Sequence, residues 1–228
     1  ISKGLVGSEM CIRDRTTTAN VIMGHPAYDV EEGEILLDGE NLQEMEPWER
    51  SRKGVFLSFQ YPQSIPGLQV GNFLRKSVSS VRGEEAARGS EFREKLNQAM
   101  EELDIPKSFL SRYVNDGFSG GEKKRFEILQ LMLLEPRLAV LDETDSGLDI
   151  DGIRTVAKGI NSVVKETENG ALIITHYSRI LEHVNPDRVH VMIGGRIVAS
   201  GGPSLAILLE ENGYDWLEEQ VANGVDFE

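Results

Sequence analysis

Apolar positions along the chain follow two spacings. The runs "GVFLSFQ" (54–60), "LAVLDE" (138–143) and "ALIITH" (171–176) are short and nearly continuous, the pattern of strands covered on both faces of a parallel sheet. "EILLDGENL" reads as a strand and a turn. Between residues 61 and 134 the spacing becomes helical, with Phe73, Leu74, Val78 and Val81 on one stripe and Phe92, Leu96, Met100 and Leu103 on the next. The alternation of strand and helix resumes at Leu138, with a helix predicted over 151–166. "RVHVMIGGRIVASG" then reads as a hairpin turning at Gly194-Gly195, and two short helices divided by Gly213 follow. The predicted fold is α/β, with a helical segment inserted into a mostly parallel sheet.

Composition narrows the function classes. The 228 residues are enough for one domain with a real core. Twenty-four Lys+Arg against 38 Asp+Glu give a net charge of −14, the wrong sign for a protein that neutralises nucleic-acid or anionic-lipid phosphates. No apolar run reaches membrane-spanning length, and the start lacks the basic-then-apolar order of a secretory signal, so a cytoplasmic location is expected. Cys11, the single cysteine, offers no internal disulfide and no thiolate set for an iron–sulfur cluster. The acids Glu210, Glu211, Asp215, Glu218, Glu219, Asp226 and Glu228 read as a solvated surface.

"LAVLDE" ends in two adjacent carboxylates, Asp142 and Glu143. Ligands of parallel sheets bind at the carboxyl ends of the strands. In a nucleotide hydrolase the first acid would hold Mg²⁺ and the second would polarise the attacking water; the plain alternative is a pair of solvated acids at a strand end. The stretch "GFSGGEKKRFEILQLMLLEPR" (117–137) ends one residue before that strand. Ser119 and Glu122 have the spacing of a capping box, and Gly120 and Gly121 leave the first helical amides open to an anion; the two readings can hold together. What joins them is order: "FSGGEKKR", then "LDE", then "DSGLD" (145–149), then His176 directly after an apolar strand.

From Thr16 to about Gly201 these motifs resemble the ATP-binding cassette (ABC) family of ATPases. The resemblance implies a P-loop NTPase fold, with a catalytic lobe at 16–60 and 135–228 and a helical subdomain at 61–134. It implies Gln60 as the Q-loop glutamine that touches Mg²⁺ and the attacking water. Ser119, Gly120, Gly121 and Glu122 would form the signature loop, which reaches the nucleotide of an opposite protomer. Asp142 and Glu143 match the Walker B pair, residues 146–149 with Asp149 the D-loop, and His176 the γ-phosphate switch. Finer features, "FQYPQSIPG", "NDGFSGGEKKR", "LDETDSGLDIDGI", "ITHYSRIL" and "LEENGYDWL", resemble the SufC branch, the ATPases of SUF iron–sulfur cluster assembly. That branch implies ATP and Mg²⁺ as cofactors, SufB and SufD as scaffold partners, and transient homodimerisation on ATP binding, with neither nucleic acid nor membrane insertion. Phe126 stands where the branch leads one to expect a polar residue. Two other readings remain open: the nucleotide-binding subunit of a membrane transporter, and a non-catalytic regulator that docks through residues 60–66 and the helical insertion.

The resemblance stops abruptly at the phosphate loop. Thr16 matches the hydroxyl residue that coordinates Mg²⁺ and Thr17 follows it, but Arg15 occupies the lysine position and Asp14 the glycine position of G-x-x-x-x-G-K-[ST]. Gly4 and Gly7 are not followed by Lys-Ser/Thr at the required spacing. Asp14 would repel phosphates, and an arginine fork does not replace an ammonium. The tract "GLVGSEMCIRDR" resembles a translated sequencing adapter. Residues 1–15 are therefore expected to be foreign. Residues 16–228 are expected to form one domain without its N-terminal strands and phosphate loop, exposing apolar sheet surface and an empty phosphate pocket.

Overall fold

The computed structural model describes residues 2–6, 12–166, 169–175 and 178–223. Its main sheet has the order β10-β9-β1-β8-β7-β4, built from β1 (Ser2–Val6), β4 (Val55–Ser58), β7 (Leu138–Asp142), β8 (Gly170–Ile174), β9 (Arg188–Ile193) and β10 (Arg196–Gly201). All neighbours are parallel except β9 and β10, the hairpin predicted from the sequence. Its turn residues Gly194 and Gly195 have φ of 55° and 75°, the double positive φ that a two-residue hairpin of this hand requires.

The apolar runs are continuous because both faces of the sheet are covered. Ala139 and Leu141 of β7 join the larger core with α5 (Gly120–Leu134) and α6 (Ile150–Glu166), while Val140 between them points to the other side. There it meets Leu57, Ile174, Met192 and Ala19 of α1 (Ile12–Met23). Alternation along a strand thus distributes one apolar segment between two layers.

The helical insertion contains α3 (Val70–Arg82), α4 (Gly89–Glu102) and α5. It is not wholly helical: β5 (Ile65–Gln69) pairs with β6 (Tyr113–Val114) at its base. "EILLDGENL" folds as a hairpin of β2 (Leu36–Leu37) and β3 (Glu40–Asn41), around Asp38 and Gly39, both at positive φ. A short α2 (Pro47–Arg52) leads into β4. After α7 (Leu181–Val184) and the hairpin, α8 (Ser204–Ala222) breaks at Gly213, where φ 80° and ψ 177° divide it in two. Phe126 is fully buried, its ring 5.9–6.0 Å from those of Phe73, Phe109 and Phe118. An apolar residue is therefore well accommodated at that position.

One expectation is corrected. A sheet lacking its N-terminal strand was anticipated, yet β1 lies between β8 and β9 and pairs in parallel with both. The reason is physical: parallel main-chain pairing saturates N–H and C=O groups whatever side chains the strand carries. A five-residue segment can close that gap without the family's sequence.

Candidate functional site

Asp142 is the last residue of β7, and Glu143 follows in a left-handed conformation, φ 50°. Such a backbone is uncommon for a residue with a side chain and is retained where surrounding contacts enforce it. Here the Glu143 amide donates to Ile174 O at 2.9 Å, tying the turn to the end of β8. Both acids are buried, Asp142 at 2% and Glu143 at 5% exposure, so the reading as solvated strand-end acids is excluded. Gln60, just past β4, donates its side-chain amide to Glu143 Oε2 at 2.8 Å. Two strand ends thus bring together two residues that lie 83 positions apart.

Burial holds the Asp142 carboxyl above its usual range, with Glu143 adding to the rise, while Thr16, Lys124 and Arg15 oppose it. Thr16 faces this carboxyl, yet neither Thr16 Oγ1 nor Asp142 Oδ1 completes a hydrogen bond. Arg15 is fully buried and donates from Nη1 to Thr175 O at 2.5 Å. The Thr175 hydroxyl in turn donates to Asp145 at 2.8 Å. His176 lies outside the described residues.

Ser119 caps α5: its hydroxyl accepts from Glu122 N at 3.2 Å, and Ser119 N donates to Glu122 Oε2 at 2.8 Å. The capping box is therefore formed, and the first-turn amides beside Gly120 and Gly121 have no intrahelical acceptor. A Cβ at Gly121 would contact Leu148 at 3.7 Å, which places the start of α5 against the 145–149 turn. Asp149 caps α6 through Gly152 N at 2.8 Å.

The ABC transporter family profile matches residues 15–146. The chain is 49% identical to Vegetative protein 296 of Bacillus subtilis over 91% of its own length and 79% of the relative's. It is 48% identical to the Probable ATP-dependent transporter slr0075 of Synechocystis, over 91% and 82%. In fold it matches the structure of an ATP-binding subunit of an ABC transporter with a TM-score of 0.76 and 23% identity, covering 97% of this chain and 88% of that one. The chain belongs to the ABC transporter family, as an ATP-binding cassette.

In this cassette the oxygens around Asp142 suit a hard divalent ion. Thr16 Oγ1 and Asp142 Oδ1 are buried without partners, and Gln60 adds an amide oxygen, its nitrogen being held by Glu143. Among the described residues no three His, Cys, Asp or Glu side chains form a metal cluster, so phosphate oxygens or waters would complete the shell of a Mg²⁺ ion. A triphosphate fits less well. Helix α1 begins at Ile12, so positions 14 and 15 lie in its first turn rather than in a loop, and the Arg15 guanidinium is bonded to Thr175.

Sequence reasoning missed a contact behind Gln60. Lys124 and Glu127, buried on α5 and 3.5 Å apart, hold both main-chain groups of Phe59: Lys124 Nζ donates to Phe59 O at 3.3 Å and Phe59 N donates to Glu127 Oε1 at 2.9 Å. The available signal was weak: two opposite charges three residues apart, Lys124 and Glu127, at the end of a charged run (122–127) that leads into the apolar part of the helix. No helix of the described residues is long and apolar enough to cross a membrane.

Proposed function

We propose that this cassette is of the SufC type, an ATPase subunit acting with SufB and SufD in cytoplasmic iron–sulfur cluster assembly, and that only the signature half of its nucleotide site is competent. The branch assignment is supported by "NDGFSGGEKKR", "SGLDIDGI" and "ITHYSRIL". The half-site reading rests on one observation: the buried guanidinium of Arg15 is bonded to Thr175 O at the position where the family's lysine reaches the phosphates. Residues 1–15 are then foreign to the cassette and 16–228 are its own.

Bound Mg²⁺ would supply charge neutralisation at the phosphates, with Thr16, Asp142 and Gln60 holding it. Glu143, bonded by Gln60, would accept a proton from the attacking water. His176 would contact the terminal phosphate, Thr17 would continue the phosphate-binding turn, and Asp149 would shape the subunit junction. On ATP binding, two protomers would close so that Ser119, Gly120, Gly121 and Glu122 of one meet the nucleotide of the other.

Calorimetry of the chain with Mg·ATP is expected to show no binding in its own pocket; micromolar binding there overturns the half-site reading. Affinity purification from the native host tests the branch. Recovery of SufB and SufD supports it, and recovery of an integral membrane permease supports the transporter reading. The second reading has its own support in the relatives' names and in an apolar groove of about 450 Å³ beside Gln60, lined by Phe59, Tyr61, Pro62 and Ile65.

A further inference from the structure

The signature loop carries a carboxylate, Glu122, close to the amides that would meet a partner's triphosphate. A glutamine would complete the capping box equally well, so capping does not explain the charge. Its partner does. Arg112 Nη1 lies 2.5 Å from Glu122 Oε1 and Nη2 3.5 Å from Oε2, a forked pairing. The same guanidinium donates to Gly117 O at 3.1 Å and lies 4.4 Å from the ring centre of Phe118. Arg112 therefore grips the loop at three points, a carbonyl, a ring and a carboxylate. Its own carbonyl accepts from Val70 N at 2.9 Å, which anchors it to the start of α3.

We infer that Arg112 is a positioning residue for the signature loop: it ties the loop to the helical subdomain and cancels the Glu122 charge on the face offered to a triphosphate. An anion at a helix start is favoured by the free amides and the dipole. An unpaired carboxylate in the first turn would take that favourable field for itself and repel a phosphate. With Oε1 on Arg112 and Oε2 shared between Arg112 and Ser119 N, the Glu122 charge is taken up within the loop, and the Ser119 hydroxyl hydrogen and the Gly120 and Gly121 amides stay free for the ligand. In keeping with this, the Glu122 carboxyl is held below its usual range, chiefly by Arg112 and then by the Ser119 amide. The inference rests on the reading of 119–122 as the loop that meets a partner's nucleotide.

The test uses the full chain, with inorganic tripolyphosphate as probe and the Gly120 and Gly121 amide shifts as readout, so no phosphate loop is needed. Arg112→Ala should weaken the probe's affinity by about tenfold at low salt, and adding Glu122→Gln should restore it to within about twofold. An unchanged Arg112→Ala, or a double variant as weak as the single, overturns the inference; a role in packing alone predicts the latter. Arg112→Lys, which keeps charge but not the fork, should retain affinity while the Ser119 and Glu122 amides exchange faster with solvent. If the wild-type Gly120 and Gly121 amides do not respond to tripolyphosphate, the signature-loop reading itself fails. Amide exchange then still decides the positioning role: equal exchange at Ser119 and Glu122 in wild type and Arg112→Ala overturns it, and faster exchange in the variant upholds it.

Discussion

At the ends of β4 and β7, Gln60 bonds Glu143, Glu143 is locked to Ile174, and Asp142 keeps a buried oxygen without a partner. Across from them, at the start of α1, the one cation in the lysine position is already bonded to Thr175. In the proposed reading these are two sides of one nucleotide site, and they differ in what holds them. The strand-end side depends on buried strands whose apolar packing fixes where the carboxylates emerge. The phosphate side depends on a glycine-lined loop whose backbone does the binding, and such a loop has no substitute once its glycines are gone. A strand can be replaced by main-chain pairing, as β1 illustrates, whereas a cradle cannot.

The sharpest way to break this contrast is to rebuild the cradle. With residues 7–15 replaced by a glycine-rich loop ending in Gly-Lys, the chain should bind Mg·ATP and turn it over. Adding Glu143→Gln should leave binding intact and cut turnover by roughly 10²–10⁴-fold, the usual range for a general base. Steady hydrolysis at the unaltered rate would remove Glu143 from that role. Arg15→Lys alone should not restore binding, because Asp14 and the early helix start remain.

A smaller effect compares two ion pairs. Lys124 and Glu127 are nearly sealed, with exposures of 6% and 3%, and burial raises the Glu127 carboxyl while Lys124 opposes the rise. Removing either partner strands a buried charge, and about 3–5 kcal/mol of stability should be lost in urea unfolding. Lys53 and Glu40 form an exposed pair at 2.5 Å, and Lys53→Ala should cost less than about 1 kcal/mol. Equal losses would mean that Phe59 is held by something other than the buried pair.

The strand side was legible in the sequence because a run of apolar residues ending in Asp142-Glu143 announces both a buried strand and the point at which its two acids emerge. The capping box at Ser119 and Glu122 was legible because it is local, within four residues. Arg112 and the Lys124–Glu127 clamp were not, since their partners come from other elements and a lone arginine in a loop carries no periodicity. The position of β1 was missed for the opposite reason: main-chain pairing leaves no trace in side-chain identity. Arg15 stands at the lysine position of the phosphate-loop pattern, but its contact with Thr175, 160 residues away, follows only from the sheet order.

The smallest expected effect tests whether Asp142 is held at a cost to the fold. Because burial raises its carboxyl above the unfolded value, the folded state retains that proton longer as pH rises. Its contribution is therefore most favourable below the ordinary carboxylate range and is lost as pH climbs through the raised folded value. At neutral pH a buried carboxylate with an unpartnered oxygen remains, and Asp142→Asn should stabilise the chain by about 1 kcal/mol while removing a proposed Mg²⁺ ligand, a trade common at functional sites. Urea midpoints measured across pH should show no gap between variant and wild type in acid and a widening gap towards neutrality. A pH-independent gap would show that shape, not charge, is responsible. Since Arg15 opposes the rise, Arg15→Met should widen the gap further, linking the two sides of the site through a single electrostatic contact.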